Sequence, residues 1–567
     1  MRALDMAYEK VNPLMIVLSS IWAAYGQNTT CRSFPGDELW PSASEWAQLN
    51  DTVGGRLIAT VPIGTPCHNP TLDTTACEEI QDNWTWPKDH EESSSSVMAP
   101  FFANQSCDPF TPADTPCTLG NYVRYAINVS NADDAIAGIS FAKEKNVRLV
   151  IRNTGHDYLG KSTGAGSLAL WTHHVKSIEI IEYSGPFYGG KAIKVGAGVQ
   201  AEEAAEAVEA QGLVSIAGNC PTVGIAGGYS QGGGHSPLAS AYGLGADQVL
   251  EWEVVDGTGQ VHIANRENNT DLYWALAGGG GSTYGVVMSM TAKLYEDVPV
   301  TGATIAFSSQ NVTADTYWAA IQKWPEFFSP LLDEGISANS YIMNTSFAIA
   351  PITAVGKRES ELSSRIEPYL TYLNASGIQY QKFVVEYPGY YPQHRNMTPP
   401  QQVANAQLGG WMIPRTVVKE QNDELTAAWR KVVDDGAVLI NLHYRPSKEV
   451  AGDVYNAVLP AWREIDLVSV FGTPWNYSAP WSEMVADQRK ITNEYVPLFS
   501  ALAPESGAYL NEADFNQPNW QTAFYGKNYD ILREIKAKYD PDDVFYATTA
   551  VGSDEWQVSN DGRLCKK

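Results

Sequence analysis

Val150-Ile-Arg-Asn-Thr-Gly-His-Asp-Tyr-Leu-Gly-Lys-Ser162 carries the chain from an apolar run into a tight polar loop. A strand that ends this way aims successive backbone N–H groups at one point, the geometry of an anion-binding nest. Arg152 adds positive charge there. Taken alone the loop decides little, because His156 also reads as an ordinary hydrogen-bonded loop residue. Two glycine-dense stretches downstream give it weight. Ala217-Gly-Asn-Cys-Pro-Thr-Val-Gly-Ile-Ala-Gly-Gly-Tyr-Ser-Gln-Gly-Gly-Gly-His235 holds seven glycines. Such density lets a backbone approach a flat ligand closely, with a tight structural crossover as the alternative. Gly278-Gly-Gly-Gly-Ser-Thr-Tyr-Gly-Val-Val287 leads glycines into a strand and offers the same kind of surface.

Working outward, strand and helix patterns alternate around these stretches. Tyr122–Val129 alternates like a strand, and Ala132–Lys145 places Ala135, Ile136, Ile139 and Ala142 on one helical face. Strands are expected at Val147–Arg152, Ser167–Trp171, Ile178–Glu182, Ala192–Gly196 and Gly285–Leu294, with a helix at Ala201–Gln211. Val249–Val255 and Val261–Ala264 read as a hairpin around Asp256-Gly-Thr-Gly259. The mixture predicts an α+β domain over 118–305. Residues 306–500 hold longer helices, Ala314–Phe328 and Arg358–Asn374, and a strand Val438–Tyr444, and read as a second α+β domain. The remainder, 501–567, runs through loops to a helix Tyr529–Tyr539 that stops at Asp540-Pro541.

At 567 residues the chain is too long for one core, and its 44% hydrophobic content excludes general disorder. A net charge of −26 repels nucleic acids and anionic membranes, so neither is expected as a main partner. The apolar stretch Pro13–Ala24 follows Arg2 and Lys10 and is too short to span a bilayer, so 1–26 reads as a signal peptide. Sequons begin at Asn28, Asn50, Asn83, Asn104, Asn128, Asn268, Asn311, Asn344, Asn374, Asn396 and Asn476, in keeping with a secreted glycoprotein. Residues 27–117 form a Cys-, Pro- and Ser-rich extension, with Ser93–Ser96 as a loop. Cys31, Cys67, Cys77, Cys107, Cys117 and Cys565 suffice for three disulfides of undetermined pairing. Cys220 is left over inside the glycine-rich stretch; a buried inert thiol is its bland reading.

Other chemistries fit poorly. Gly196-Ala-Gly-Val-Gln-Ala201 matches a dinucleotide-binding fingerprint, but Val214–Ala217 does not end in the acidic residue that fold requires. His173 and His174 are adjacent and face opposite ways on a strand, and no H-E-x-x-H or C-x-x-C occurs.

Arg152–Asp157, Gly218-Asn-Cys-Pro-Thr-Val-Gly224 and Gly278–Val287 resemble the berberine bridge enzyme-like branch of the vanillyl-alcohol-oxidase flavoproteins. Ala508-Tyr-Leu-Asn-Glu-Ala-Asp514, Phe524–Asn528 and Ile535–Pro541 look like the closing motif of that branch. The likeness runs from about residue 118 to the end, in the family's order. It implies a PCMH-type FAD-binding domain split between 118–305 and 501–567, with the α+β substrate domain 306–500 inserted. His156 matches the histidine bonded to the flavin 8α-methyl, and Cys220 the cysteine bonded to C6 in bicovalent members. An 8α-imidazole withdraws electron density and makes the flavin a stronger hydride acceptor.

The resemblance assigns cofactor contacts to Arg152, Asn153, Thr154, Gly155, His156, Tyr158 and Ser162. In the second stretch it assigns Cys220, Val223, Gly224, Gly227, Gly228, Tyr229, Gly232 and Gly233. Gly285, Val287 and Asn511 complete the set. Tyr229 stands where many relatives have histidine, and its hydroxyl is the expected donor to N1–C2=O of the ring. Val223 goes, in relatives, with oxygen access. The expected activity is that of a secreted oxidase: hydride passes from a small hydroxyl-bearing metabolite to covalently held FAD and then to O2. Tyr509 is the expected proton acceptor, with Asn511 positioning flavin or substrate. A tyrosinate there needs a nearby cation, for which Arg415 and Lys419 are the candidates. Asn441 and His443 share a strand face that could also look toward the ring. The rival readings are a flavin dehydrogenase or oxidative cyclase of secondary metabolism, a flavin-holding protein without catalysis, and a secreted glycoprotein without flavin.

Overall fold

The computed structural model describes residues 31–567; the expected signal peptide and the Asn28 sequon lie outside the described residues. A four-stranded sheet holds β1 (Leu57–Ala59), β2 (Tyr125–Asn128), β3 (Leu149–Arg152) and β4 (Leu168–Trp171), in the order β1-β2-β4-β3. Pairing of β4 with β2 and with β3 is parallel, which needs a crossover between β2 and β3. Helix α1 (Ala132–Glu144) supplies it. Asn131 caps α1 by accepting the Asp134 N–H at 3.2 Å, and Ala135, Ile139 and Ala142 form its buried stripe as the periodicity predicts. β3 then delivers the chain into the 153–162 loop. There Gly155 adopts φ +92° over the Arg152 guanidinium, where a side chain would collide with it.

A second sheet, antiparallel, holds β5 (Ile178–Gly185), β6 (Tyr188–Gly196), β7 (Val249–Val255), β8 (Val261–Asn265) and β9 (Val286–Lys293), in the order β5-β6-β9-β7-β8. β5 and β6 are longer than the apolar pattern suggests. They extend as an edge hairpin whose outer residues are largely exposed, so cross-strand pairing rather than burial maintains them. The fingerprint-like Gly196 and Gly198 serve packing, since a Cβ on either would strike the carbonyls of Val175 or His173.

The third sheet has seven strands, all antiparallel: β10 (Val300–Ser308), β11 (Ile336–Ile342), β12 (Ser346–Val355), β13 (Tyr380–Tyr387), β14 (Ala406–Pro414), β15 (Val438–His443) and β16 (Ile465–Pro474). Their order is β13-β10-β12-β11-β15-β16-β14. One face is covered by helices Ala314–Leu332, Glu359–Ala375 and Asn422–Asp434, whose buried stripes include Trp324, Phe328, Leu370 and Trp429. The opposite face looks toward the glycine-rich loops.

The expected three disulfides form as Cys31–Cys565, Cys67–Cys77 and Cys107–Cys117, leaving Cys220 as the free thiol. The N-terminal extension packs against the third sheet's rim. Val403 N–H donates to Thr85 O at 2.9 Å, while Trp84 Nε1 donates to Tyr477 Oη, which donates to Ala404 O, both at 2.7 Å. These contacts fix the loop 399–405.

Candidate active site

A cavity of about 550 Å3 lies between the glycine-rich loops and the open face of the seven-stranded sheet. Its wall includes Asn153, Thr154, Gly155, His156, Tyr158, Ser162, Cys220, Val223, Gly224, Gly227, Gly228, Tyr229, Gly285, Val287, Tyr509 and Asn511. Motifs separated by hundreds of residues therefore converge on one hollow.

The 153–162 loop is held from beneath. Asp157 accepts from the backbone N–H of Leu159 and Ser162 and from the Ser162 hydroxyl, at 2.9, 2.8 and 3.0 Å. Asn153 donates to Ala197 O and Thr172 Oγ1, and its Oδ1 leaves no room for a side chain at Gly224. Arg152 departs from expectation. It is buried below the loop and donates to His90 O at 2.9 Å, so it supports the turn instead of lining the cavity. Burial pulls its guanidinium down to about 10.

His156 Nε2 lies 2.7 Å from Thr222 Oγ1 and 3.9 Å from Cys220 Sγ. Burial, followed by the charges of His90 and Arg152, pulls the imidazole down to about 3, so it is neutral at physiological pH with a lone pair on one nitrogen. Burial pushes the Cys220 thiol up. Behind them Gln200 Nε2 bridges Thr222 O and the Glu91 carboxylate, each at 2.7 Å.

Gly232 and Gly233 also depart from expectation, since neither lines the cavity. They make room for the tail: a Cβ on Gly232 would meet the Asn511 amide at 2.5 Å, and one on Gly233 would touch the Tyr509 ring. Tyr229 lies with its ring against Gly218, Gly234 and Gly245, and burial keeps its phenol neutral.

The tail residues do not belong to a paired strand. A turn closed by Glu512 N–H to Tyr509 O at 2.9 Å brings Tyr509, Asn511 and Glu512 to the cavity together. Tyr509 Oη accepts from Gly234 N–H at 3.2 Å and from Asn511 Nδ2 at 2.7 Å. Both lone pairs are used, and burial pushes the phenol well above its ordinary range. The expected cations are elsewhere. Arg415 pairs with Asp333 and Asp466, and Lys419 is exposed on the outer surface. Asn441 and His443 share a face, but it is the helix-covered one: Asn441 accepts from Ser469, and His443 meets Trp324 and Ser340. Val438, Ile440 and Leu442 of β15 face the cavity in their place.

Two cavity-lining residues carried no assignment in the sequence reading. Both carboxylate oxygens of Glu512 lie 3.0 Å from His235 Nε2. Both residues stand inside quoted motifs, but nothing in their spacing announces a pair.

The hollow suits a large, partly polar planar group such as FAD. Glycine backbone forms part of its floor. Asn153 Oδ1, Asn219 Oδ1 and Lys161 Nζ line it and are buried without a protein partner. Such atoms call for a bound group that carries its own donors and acceptors.

A glycine-cradled hollow of this kind on this fold defines an FAD-dependent oxidoreductase. Residues 123–265 match the FAD binding domain family and residues 508–552 the family described as berberine and berberine like. The FAD-linked oxidoreductase patO of Penicillium expansum is 44% identical over 98% of this chain and 97% of its own length. The bifunctional decalin synthase calF of Penicillium decumbens is 41% identical over 98% and 99%. The solved structure of the VAO-type flavoprotein MtVAO615 from Myceliophthora thermophila C1 superposes with a TM-score of 0.91. It is 40% identical over 95% of this chain and 100% of that one. The chain belongs to the berberine bridge enzyme-like branch of the VAO-type FAD oxidoreductases.

Proposed function

We propose that this protein is a secreted oxidase that dehydrogenates an apolar, hydroxyl-bearing small molecule, with FAD held covalently by His156 and Cys220 and O2 as the final acceptor. The observation that carries the reading is that His156 and Cys220 meet on the cavity wall, with Nε2 and Sγ 3.9 Å apart, so both side chains can reach the edge of one bound ring system. When bound, FAD supplies a two-electron acceptor for a hydride equivalent. The chain supplies the rest. The neutral imidazole of His156 offers a lone pair for attachment. Gly227 and Gly228 let backbone approach a planar ring, and Asn511 Nδ2, shared between Gly228 O and Tyr509, ties that backbone to the tail.

The substrate side points to apolar cargo. Leu408, Ile440, Leu442 and Val470 of the seven-stranded sheet line the cavity, with Asn339 and Tyr341 as polar contacts. Secretion draws support from three disulfides and from the sequons, whose described asparagines all lie at least partly exposed. The division into a split FAD domain (118–305 and 501–567), an inserted substrate domain (306–500) and an extension (27–117) is also our proposal. It is supported by family matches that bracket the seven-stranded sheet, which itself begins at Val300.

The test is anaerobic mixing with a panel of allylic, benzylic and alicyclic alcohols, followed by air. Bleaching of the flavin colour and its rapid return in air are the expected results. Slow return overturns the oxidase reading in favour of a dehydrogenase or oxidative cyclase, the alternative that the similarity to the decalin synthase supports. Val223 lines the cavity, and V223L adds bulk there, so reoxidation is expected to slow in that variant.

A further inference from the structure

Alcohol oxidation needs an acceptor for the hydroxyl proton, within hydrogen-bond reach of the substrate oxygen. Tyr509 is poorly placed for that task. A neutral phenol whose oxygen already accepts from Gly234 N–H and Asn511 Nδ2 has no free lone pair, and among the described residues no lysine or arginine acts on it. Glu512, the residue after Asn511 in the same turn as Tyr509, is different in kind. It lines the cavity, its side chain retains 24% exposure, and its carboxylate is oriented by His235 alone among the described side chains.

We propose that Glu512 is the proton acceptor of the reaction and that His235 is its positioning residue. The inference rests on the dehydrogenation proposed above. With Nε2–H of His235 directed at the two carboxylate oxygens, the imidazole fixes the plane of the Glu512 carboxylate. The remaining lone pairs of the carboxylate are left for the cavity. His235 is itself boxed in by the rings of Tyr444, Trp462 and Tyr509, and its Nδ1 is buried without a protein partner. Among the described residues, His235 is paired with Glu512, and Tyr158, Tyr444 and Tyr509 are close enough to feel its charge. In the step, the substrate O–H bond breaks. Its electron pair becomes the second bond of the new C=O, and its proton forms a carboxyl O–H on Glu512. The hydride leaving carbon is the two-electron equivalent taken up by the FAD of the proposed reaction. Product release and loss of the carboxyl proton to solvent return Glu512 to its starting state.

The test compares wild-type holoenzyme with E512Q and H235N, using the same alcohol panel as probe in anaerobic stopped flow. Intact mass confirms tethered flavin, and bleaching by dithionite confirms a competent cofactor, so misfolded variants are recognised. The expected result is a fall in the flavin-reduction rate of about 100-fold or more in E512Q, with substrate affinity within about threefold. The acid limb of the rate–pH profile is lost in E512Q and displaced in H235N, an effect that simple loosening of the fold does not produce. A reduction rate in E512Q within about threefold of wild type overturns the assignment of Glu512 and leaves the dehydrogenase chemistry standing. Failure of every alcohol to bleach the wild-type flavin overturns the proposed function, and this inference with it.

Discussion

His156 and Cys220 come from loops 64 residues apart, and Thr222 stands against both, 2.7 Å from the imidazole and 3.6 Å from the sulfur. When Thr222 accepts from Nε2–H, the other ring nitrogen keeps its lone pair, so the hydroxyl selects the nucleophilic tautomer. A hydrogen bond of this kind is worth about 1 kcal/mol net, so T222V is expected to slow attachment through His156 by about fivefold, and T222S to restore it. Peptide mapping of flavin fluorescence after denaturation and digestion reads this directly. In the same assay H156A and C220A each keep some tethered flavin, and the double variant keeps none. If the double variant still yields flavin peptides, the attachment sites lie elsewhere.

Legibility at this scale depended on local signal. His156 and Cys220 stood in short motifs whose glycines advertise a ligand. The Glu512–His235 pair joins positions 277 residues apart, and no spacing rule connects them. Asn441 and His443 show the limit of strand alternation. It establishes that two side chains share a face, but the covering helices decide which face is buried.

At the scale of elements, the glycine-rich stretch 224–235 and the tail turn 509–512 are fitted to each other. Gly232 is glycine because the Asn511 amide occupies the space a Cβ would need, and that amide is tied to Gly228 O and Tyr509 Oη. G232A is therefore expected to destabilise the protein by about 1–3 kcal/mol. N511A frees the space, so G232A should cost much less in that background. Thermal melts of the two single variants and the double form the cycle. Additive losses would mean that the two segments do not meet as described. The expected helices at 132–145, 314–328, 358–374 and 529–539 and the strands at 249–255, 261–264 and 438–444 form within a few residues of their expected bounds, whereas the other six strands of the seven-stranded sheet carried no expectation. The tail could not be read in the same way. Tyr509 and Asn511 alternate as they would on a strand, yet they are brought together by a turn that pairs with no sheet.

For the whole molecule, the farthest-reaching covalent tie is Cys31–Cys565, which joins positions 534 residues apart. It is reinforced by Arg563 on Asp37 and by Arg32 on Asp543 O. The cysteine count announced three bridges and a leftover thiol. It could not announce that two close ten-residue loops while the third spans the chain, because spacing carries no information about which distant segments pack together. Replacing both Cys31 and Cys565 by serine is expected to cost about 2–5 kcal/mol and to lower the melting temperature. Scanning calorimetry at matched rates reads the loss, since a chain of this size unfolds irreversibly. An unchanged melting temperature would show that the non-covalent contacts at this seam are sufficient.

The order in which this architecture becomes available carries its own consequence. A polypeptide emerges from the ribosome starting at its N-terminus, so the groove made by the loops near 155 and 225 exists long before the segment bearing Tyr509, Asn511 and Glu512 arrives to seal it. Until then an apolar trough stands open to its surroundings. Enclosure of a prosthetic group must therefore follow completion of synthesis, and a nascent chain halted shortly before residue 508 would present a half-built receptacle unable to keep what it catches.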